Sequence, residues 1–90
     1  MPKQIALRKV STVNVIHLEN GILNGIFSFN DNKLGNKHAE KKFIDLINHH
    51  VTEPLTKENA DNALDEGHYE NGIGDEFFLS HSDLKHEFFN

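Results

Sequence analysis

Asn20-Gly21 stands between two runs of β-branched and other apolar residues, and no other feature constrains the fold as strongly. Asn-Gly is the dipeptide that most readily takes positive φ at both central positions of a type I′ turn. We therefore predict a β-hairpin over residues 11–29. If the turn contains two residues, Leu18 pairs with Leu23.

The predicted pairing divides the hairpin into two faces, both more apolar than a half-exposed hairpin needs. One face would carry Ile16, Leu18, Leu23, Phe27 and Phe29. The other would carry Val13, Val15, Ile22 and Ile26, interrupted by His17 and Asn24. We expect helices on the first face, and either a second molecule or the apolar residues of the first ten positions (Ile5, Leu7 and Val10) on the second. Self-association is therefore predicted through Val13, Val15, Ile22 and Ile26.

Two helices are predicted after the hairpin. In residues 36–51, with Asn36 as N-cap, apolar residues recur at helical spacing with Phe43 at the centre of the stripe. The second helix is shorter, with Thr56 as N-cap and Gly67 at its carboxyl end, where a left-handed residue is favoured.

Residues 75–82 are predicted to form a last strand, and the segment between Gly67 and this strand a glycine-containing loop. A helical crossover returns this strand parallel to the second strand of the hairpin, so it pairs most easily beside the first. The prediction is a single α+β domain over residues 1–90. Its order would be β-β-α-α-β, with a three-stranded antiparallel sheet of order 2-1-3 and helices on one face.

Charge is distributed unevenly along the chain. Residues 1–52 hold seven basic and four acidic side chains, whereas residues 53–90 hold two and ten. Negative charge repels phosphate backbones, so we expect no direct contact with nucleic acid and a basic protein as the natural partner. The absence of cysteine suits a reducing compartment. No signal-peptide pattern or apolar run of about 20 residues is present, so we expect a cytoplasmic protein without membrane contact.

Residues 58–76 contain seven carboxylates and no Lys or Arg. On the second predicted helix, Glu58, Asp61 and Asp65 line up outward. The predicted partner-binding residues are Glu58, Asp61, Asp65, Glu66, Glu70, Asp75 and Glu76. The alternative is that these carboxylates only face water and keep the protein soluble.

Seven histidines raise the question of a metal site: His17, His38, His49, His50, His68, His81 and His86. Without cysteine, zinc would have to draw on His and carboxylates. The spacing does not favour a metal site, since no HExxH occurs and adjacent helical residues such as His49 and His50 point about 100° apart. We therefore expect no metal, no cofactor and no catalytic residue, and hence no enzyme.

The chain resembles small accessory proteins of phages and mobile elements, among which anti-CRISPR proteins are the best-known group. The resemblance lies in its size, its acidity, the hairpin-plus-helix architecture and the lack of a catalytic motif. The resemblance implies a stoichiometric inhibitor that occupies a nucleic-acid-binding surface of a host nuclease complex. The first alternative is a structural or regulatory homodimer, and the second is a His/carboxylate metal-binding protein. The terminal Phe88 and Phe89 would either complete a thin core or anchor a partner.

Overall fold

A computed structural model describes residues 10–84 of the chain. The elements are β1 (Val10–Glu19), β2 (Ile22–Asn30), α1 (Lys33–His49), α2 (Lys57–Glu66), β3 (His68–Glu70) and β4 (Asp75–Leu84). They form one antiparallel sheet in the order β2-β1-β4-β3, with both helices packed on the same side. The predicted α+β class is confirmed, as is the pairing of the last long strand with the first strand of the hairpin. The sheet has four strands instead of three.

The hairpin turns at the predicted dipeptide. Asn20 has φ 51° and Gly21 has φ 78°, and Leu18 pairs with Leu23 across the turn. The register then shifts, because the next pair along the ladder is His17 with Gly25. Asn24 is therefore left without a partner in the ladder, which makes it the extra residue of a β-bulge.

This bulge makes the predicted division into faces wrong. Beyond it, Val15 pairs with Phe27 and Val13 with Phe29, so these four side chains share one face. Val13 and Val15 are almost completely buried beneath the helices and do not lie on an uncovered face. A one-residue shift exchanges the two sides of a strand, and the sequence pattern alone does not reveal an inserted residue.

Helix α1 supplies the centre of the core. Its buried positions Ala39, Phe43 and Ile47 follow the predicted stripe. It begins earlier than predicted, because Asn32 and not Asn36 is the N-cap, and the Asn32 side chain accepts a hydrogen bond from the Gly35 N–H at 2.7 Å. Among residues 11–81, whose burial the structure describes, the buried apolar residues are Val13, Val15, Ala39, Phe43, Ile47, Ala63 and Phe77.

Helix α2 has the predicted caps. The Thr56 hydroxyl accepts from the Asn59 N–H, and Gly67 adopts a left-handed conformation at φ 67°. The Gly67 carbonyl then accepts from the Leu79 N–H, which leads the chain directly into a strand beside β4. The predicted loop therefore contains strand β3, which was missed because it has only three residues.

The side of the sheet opposite the helices is uncovered by any described element. In one row across β2, β1, β4 and β3 lie Leu23, Leu18, Glu76 and Glu70, and in the next row lie Ile26, Ile16, Phe78 and His68. Leu23 and Ile26 are 55% and 53% exposed. We call these eight residues the helix-free patch. Neither described helix has the length and apolar character needed to cross a membrane.

Candidate functional site

Three side chains with metal-binding or acid–base chemistry meet on the helix side of the sheet. His17 comes from β1, His50 is the C-cap of α1, and Asp75 begins β4. One ligand atom of each lies within 4.8 Å of those of the other two. His17 is only 4% exposed and Asp75 9%, whereas His50 is half-buried. We call these three residues the His-His-Asp cluster.

The hydrogen bonds of His17 define its tautomer. Its Nδ1 lies 3.3 Å from the side-chain amide nitrogen of Asn24, which can only donate, so Nδ1 accepts. Nε2 therefore carries the ring hydrogen and donates to Asp75 Oδ1 at 2.9 Å. The ring also stacks on Phe77, with centroids 4.6 Å apart and planes 3° apart. The bulge has a direct role here, because its extra residue is the one that binds His17.

Asp75 is held as a carboxylate. Its second oxygen, Oδ2, accepts from the Asn71 side-chain amide at 2.8 Å. The hydrogen bond from His17 is the main cause that lowers the pKa of Asp75, followed by the bond from Asn71, while burial opposes them and the nearby His50 adds to the lowering. The Asn71 side-chain oxygen in turn accepts from the N–H groups of Ile73 and Asp75, which fixes the loop before β4.

His50 is the accessible member of the cluster. Its Nδ1 lies 2.8 Å from the Leu46 carbonyl oxygen, so this nitrogen donates, and in the neutral imidazole Nε2 carries the lone pair. The His50 and His17 ring centroids are 4.5 Å apart. His50 and Asp75 also line an open cavity of about 600 Å³, the other lining residues being His49, Val51, Thr52, Glu53, Tyr69, Asn71 and Ile73.

This arrangement limits the chemistry of the cluster. Both ring nitrogens of His17 are engaged, so His17 and Asp75 as arranged do not present a general base to a substrate. Two imidazoles and one carboxylate from three separate elements are instead a ligand set for a divalent transition metal. Sequence reasoning missed the cluster because His17 and Asp75 are 58 positions apart and only strand pairing makes them neighbours. The one signal was a polar His17 inside an otherwise apolar run.

The predicted acidic surface is divided. Glu58, Asp61, Asp65 and Glu66 are exposed on α2, and Glu70 and Glu76 face each other across β3 and β4 on the helix-free patch. None of these six forms an ion pair with another residue of the described chain. Asp75 does not belong to this surface, because it is buried against His17. Alternation along β4 explains the difference, since neighbouring residues face opposite sides of the sheet.

The residues predicted for self-association do not share one surface. Val13 and Val15 are in the core, as described above, and Ile26 lies on the helix-free patch. Ile22 is 72% exposed, but it pairs with Glu19. Because side chains alternate along β1, Glu19 lies on the helix side of the sheet, and Ile22 lies there with it. Self-association itself remains a prediction. Of the residues suggested as an alternative cover, Val10 begins β1, whereas Ile5 and Leu7 lie outside the described residues, as do the terminal Phe88 and Phe89.

Comparison with known proteins does not assign the site. No family model matches the chain, and neither a curated protein nor a solved structure gives a significant match. The functions proposed below therefore rest on the chain's own residues and their geometry.

Proposed function

We propose that this protein is a non-enzymatic binding module whose helix-free patch docks on a basic surface of another protein, of the kind that otherwise contacts nucleic acid. The observation that carries the proposal is the composition of the patch. Five apolar side chains lie beside the opposed carboxylates Glu70 and Glu76. An exposed apolar centre with a polar border is the usual anatomy of a protein-binding surface.

The apolar part of the patch supplies affinity. Leu23 and Ile26 expose more than half of their surface, and the half-buried Ile16, Leu18 and Phe78 connect them into one block. Burial of apolar surface contributes ~25 cal/mol per Å², so covering such a block favours association. Phe78 on β4 forms the border of this block towards Glu76 and His68, and it offers an aromatic anchor of the kind that contributes strongly to binding.

The carboxylates select the charge of the partner. Glu70 and Glu76 are directly opposite each other in the ladder, an arrangement of like charges that destabilises a sheet. The exposed acidic residues of α2 add negative charge on the helix side of the sheet near β3, against which α2 packs. The repulsion is relieved when opposite charge arrives, so a partner rich in Lys and Arg is preferred.

A second copy of the chain is a poorer fit to this patch than a basic partner. A two-fold dimer would bring the same surface against itself. The four described strands contain no Lys or Arg, so a second patch offers no such cation to Glu70 or Glu76. Nucleic acid fits even less well, because its phosphates would meet the carboxylates.

The test compares the parent protein with Glu70→Lys and Ile26→Asp, using Glu40→Lys as control. Glu40 is exposed on α1, so this control makes the same charge change on the helix side of the sheet. Each protein is immobilised and exposed to an extract of its source cells, and the captured proteins are identified. The most enriched basic protein is then purified, and its association rate is measured at low and high salt.

The proposal predicts a basic partner that Glu40→Lys retains, that both patch variants lose, and that added duplex DNA displaces. Association should slow steeply as salt rises. Capture that is the same for all four proteins would contradict the proposal. So would sedimentation showing that the parent is a tight dimer and Ile26→Asp a monomer, because the patch would then be a self-association surface.

A further inference from the structure

We propose that the His-His-Asp cluster binds a divalent transition metal ion, for which Zn²⁺ is the appropriate probe. The ligands would be His17, His50 and Asp75. The cluster lies on the helix side of the sheet, opposite the helix-free patch, so this inference is independent of the proposed partner binding.

The first argument is convergence. A strand, a helix end and a second strand each contribute one ligand, and the three ligand atoms lie within 4.8 Å of one another. In a tetrahedral site with bonds of about 2.0 to 2.1 Å, ligand atoms are about 3.3 Å apart. The His17 Nε2 to Asp75 Oδ1 distance of 2.9 Å is close to this value. His50 is the ligand that must approach, and as a half-buried C-cap beside an open cavity it has room to do so.

The second argument is that two of the three ligands, His50 and Asp75, are already oriented by a further hydrogen bond. Metal-binding histidines almost always donate their other ring N–H to a carbonyl or carboxylate, and His50 donates Nδ1–H to the Leu46 carbonyl. Asn71 holds the second oxygen of Asp75, leaving the first for the ion. These bonds orient the His50 ring and the Asp75 carboxylate before an ion binds, which reduces the entropy that binding must overcome.

His17 must change its tautomer to bind a metal ion, and this change leaves the number of protons on the ring the same. Binding through Nε2 requires the ring hydrogen of the neutral imidazole to be on Nδ1, so Nε2 loses a proton to water and Nδ1 gains one. The Asn24 side chain, which now donates to Nδ1, must then turn its amide oxygen towards it. An Asn side chain can do this by rotating about χ2, because its oxygen and nitrogen are nearly the same size.

The surroundings favour a cation with an open coordination position. Asp75 supplies a carboxylate to the cluster, and none of the residues lining the described cavity is Lys or Arg. Three protein ligands leave the fourth position of a tetrahedral ion free. Because His50 and Asp75 both line the cavity, water or a small anion in the cavity can occupy that position.

The experiment uses the full chain without an affinity tag, freed of metal with a chelator. Zn²⁺ is titrated by calorimetry into the parent, His50→Ala and Asp75→Asn, with His38→Ala as control. His38 is an exposed histidine on α1 outside the cluster. We expect one ion per chain, a higher thermal midpoint in its presence, and affinity reduced by more than about tenfold in both cluster variants only.

Histidine ring nitrogen resonances of the parent provide a second measurement that does not depend on the variants folding. Zn²⁺ should shift the ring nitrogens of His17 and His50 together at one equivalent. The proposal is wrong if no saturable binding is seen, if His50→Ala binds as tightly as the parent, or if the shifts are confined to exposed histidines such as His49 and His38.

Discussion

Replacing Asp75 with Asn tests how much the buried network around the His-His-Asp cluster stabilises the fold. The two carboxylate oxygens accept from His17 Nε2 at 2.9 Å and from Asn71 Nδ2 at 2.8 Å. An amide has one oxygen, so one of these donors would face an NH₂ group. Hydrogen bonds to a charged group contribute ~1.5–3 kcal/mol, and a buried unsatisfied donor costs a further ~1–3 kcal/mol.

We therefore expect Asp75→Asn to lower the free energy of unfolding by about 3 kcal/mol at neutral pH. For a domain of this size each kcal/mol corresponds to about 4–8 °C, so the thermal midpoint should fall by roughly 12–24 °C. Urea unfolding followed by circular dichroism measures the difference. Glu76→Gln is the control, because this neighbour faces the other side of the sheet, and it should change stability by less than about 0.5 kcal/mol.

The pH dependence of the stability difference between parent and variant distinguishes a lost charged group from a packing defect, which would not depend on pH. The folded-state pKa of Asp75 lies below its ordinary value, so its carboxylate stabilises the fold fully above the unfolded pKa. That contribution is lost as pH falls through the folded pKa. The gap between parent and Asp75→Asn should therefore be constant from pH 7 to about 5 and narrow below about 4. A variant as stable as the parent at pH 7, or a gap that does not change in acid, would refute the reasoning.

Two further predictions concern the core and the acidic helix. Phe43→Ala should lower the free energy of unfolding by ~3–5 kcal/mol, because the ring is fully buried. Lys41→Ala, on the exposed side of α1, should lower it by less than ~0.5 kcal/mol. Similar thermal midpoints for the two variants would show that the buried face of α1 is assigned wrongly. Reversing Asp61 and Asp65 to Lys should preserve the circular dichroism spectrum, slow association with the basic partner and flatten its salt dependence. Unchanged association would mean that these two carboxylates serve solubility alone.

Local signals in the sequence were sufficient to predict most of the secondary structure. Asn20-Gly21 forms the predicted turn, because few other dipeptides accept positive φ at both positions. Thr56 and Gly67 cap α2 as expected, since a hydroxyl acceptor and a left-handed residue satisfy the helix ends regardless of the rest of the chain. The α+β class and the neighbour of the last strand follow from the order of these elements and the direction of the crossover.

Which residues lie on each face of the sheet, and how the His-His-Asp cluster comes together, depended on tertiary structure. Asn24 produces a bulge only because β1 and β2 pair as they do, and that shift places Phe27 and Phe29 on the face of Val13 and Val15, and Ile26 on the uncovered side. In the sequence nothing distinguishes Asp75 from the other carboxylates of the acidic stretch, yet pairing of β4 with β1 buries it beside His17. Turns and caps are decided by interactions within a few residues, whereas burial and ligand convergence depend on distant strands whose register the local sequence does not specify.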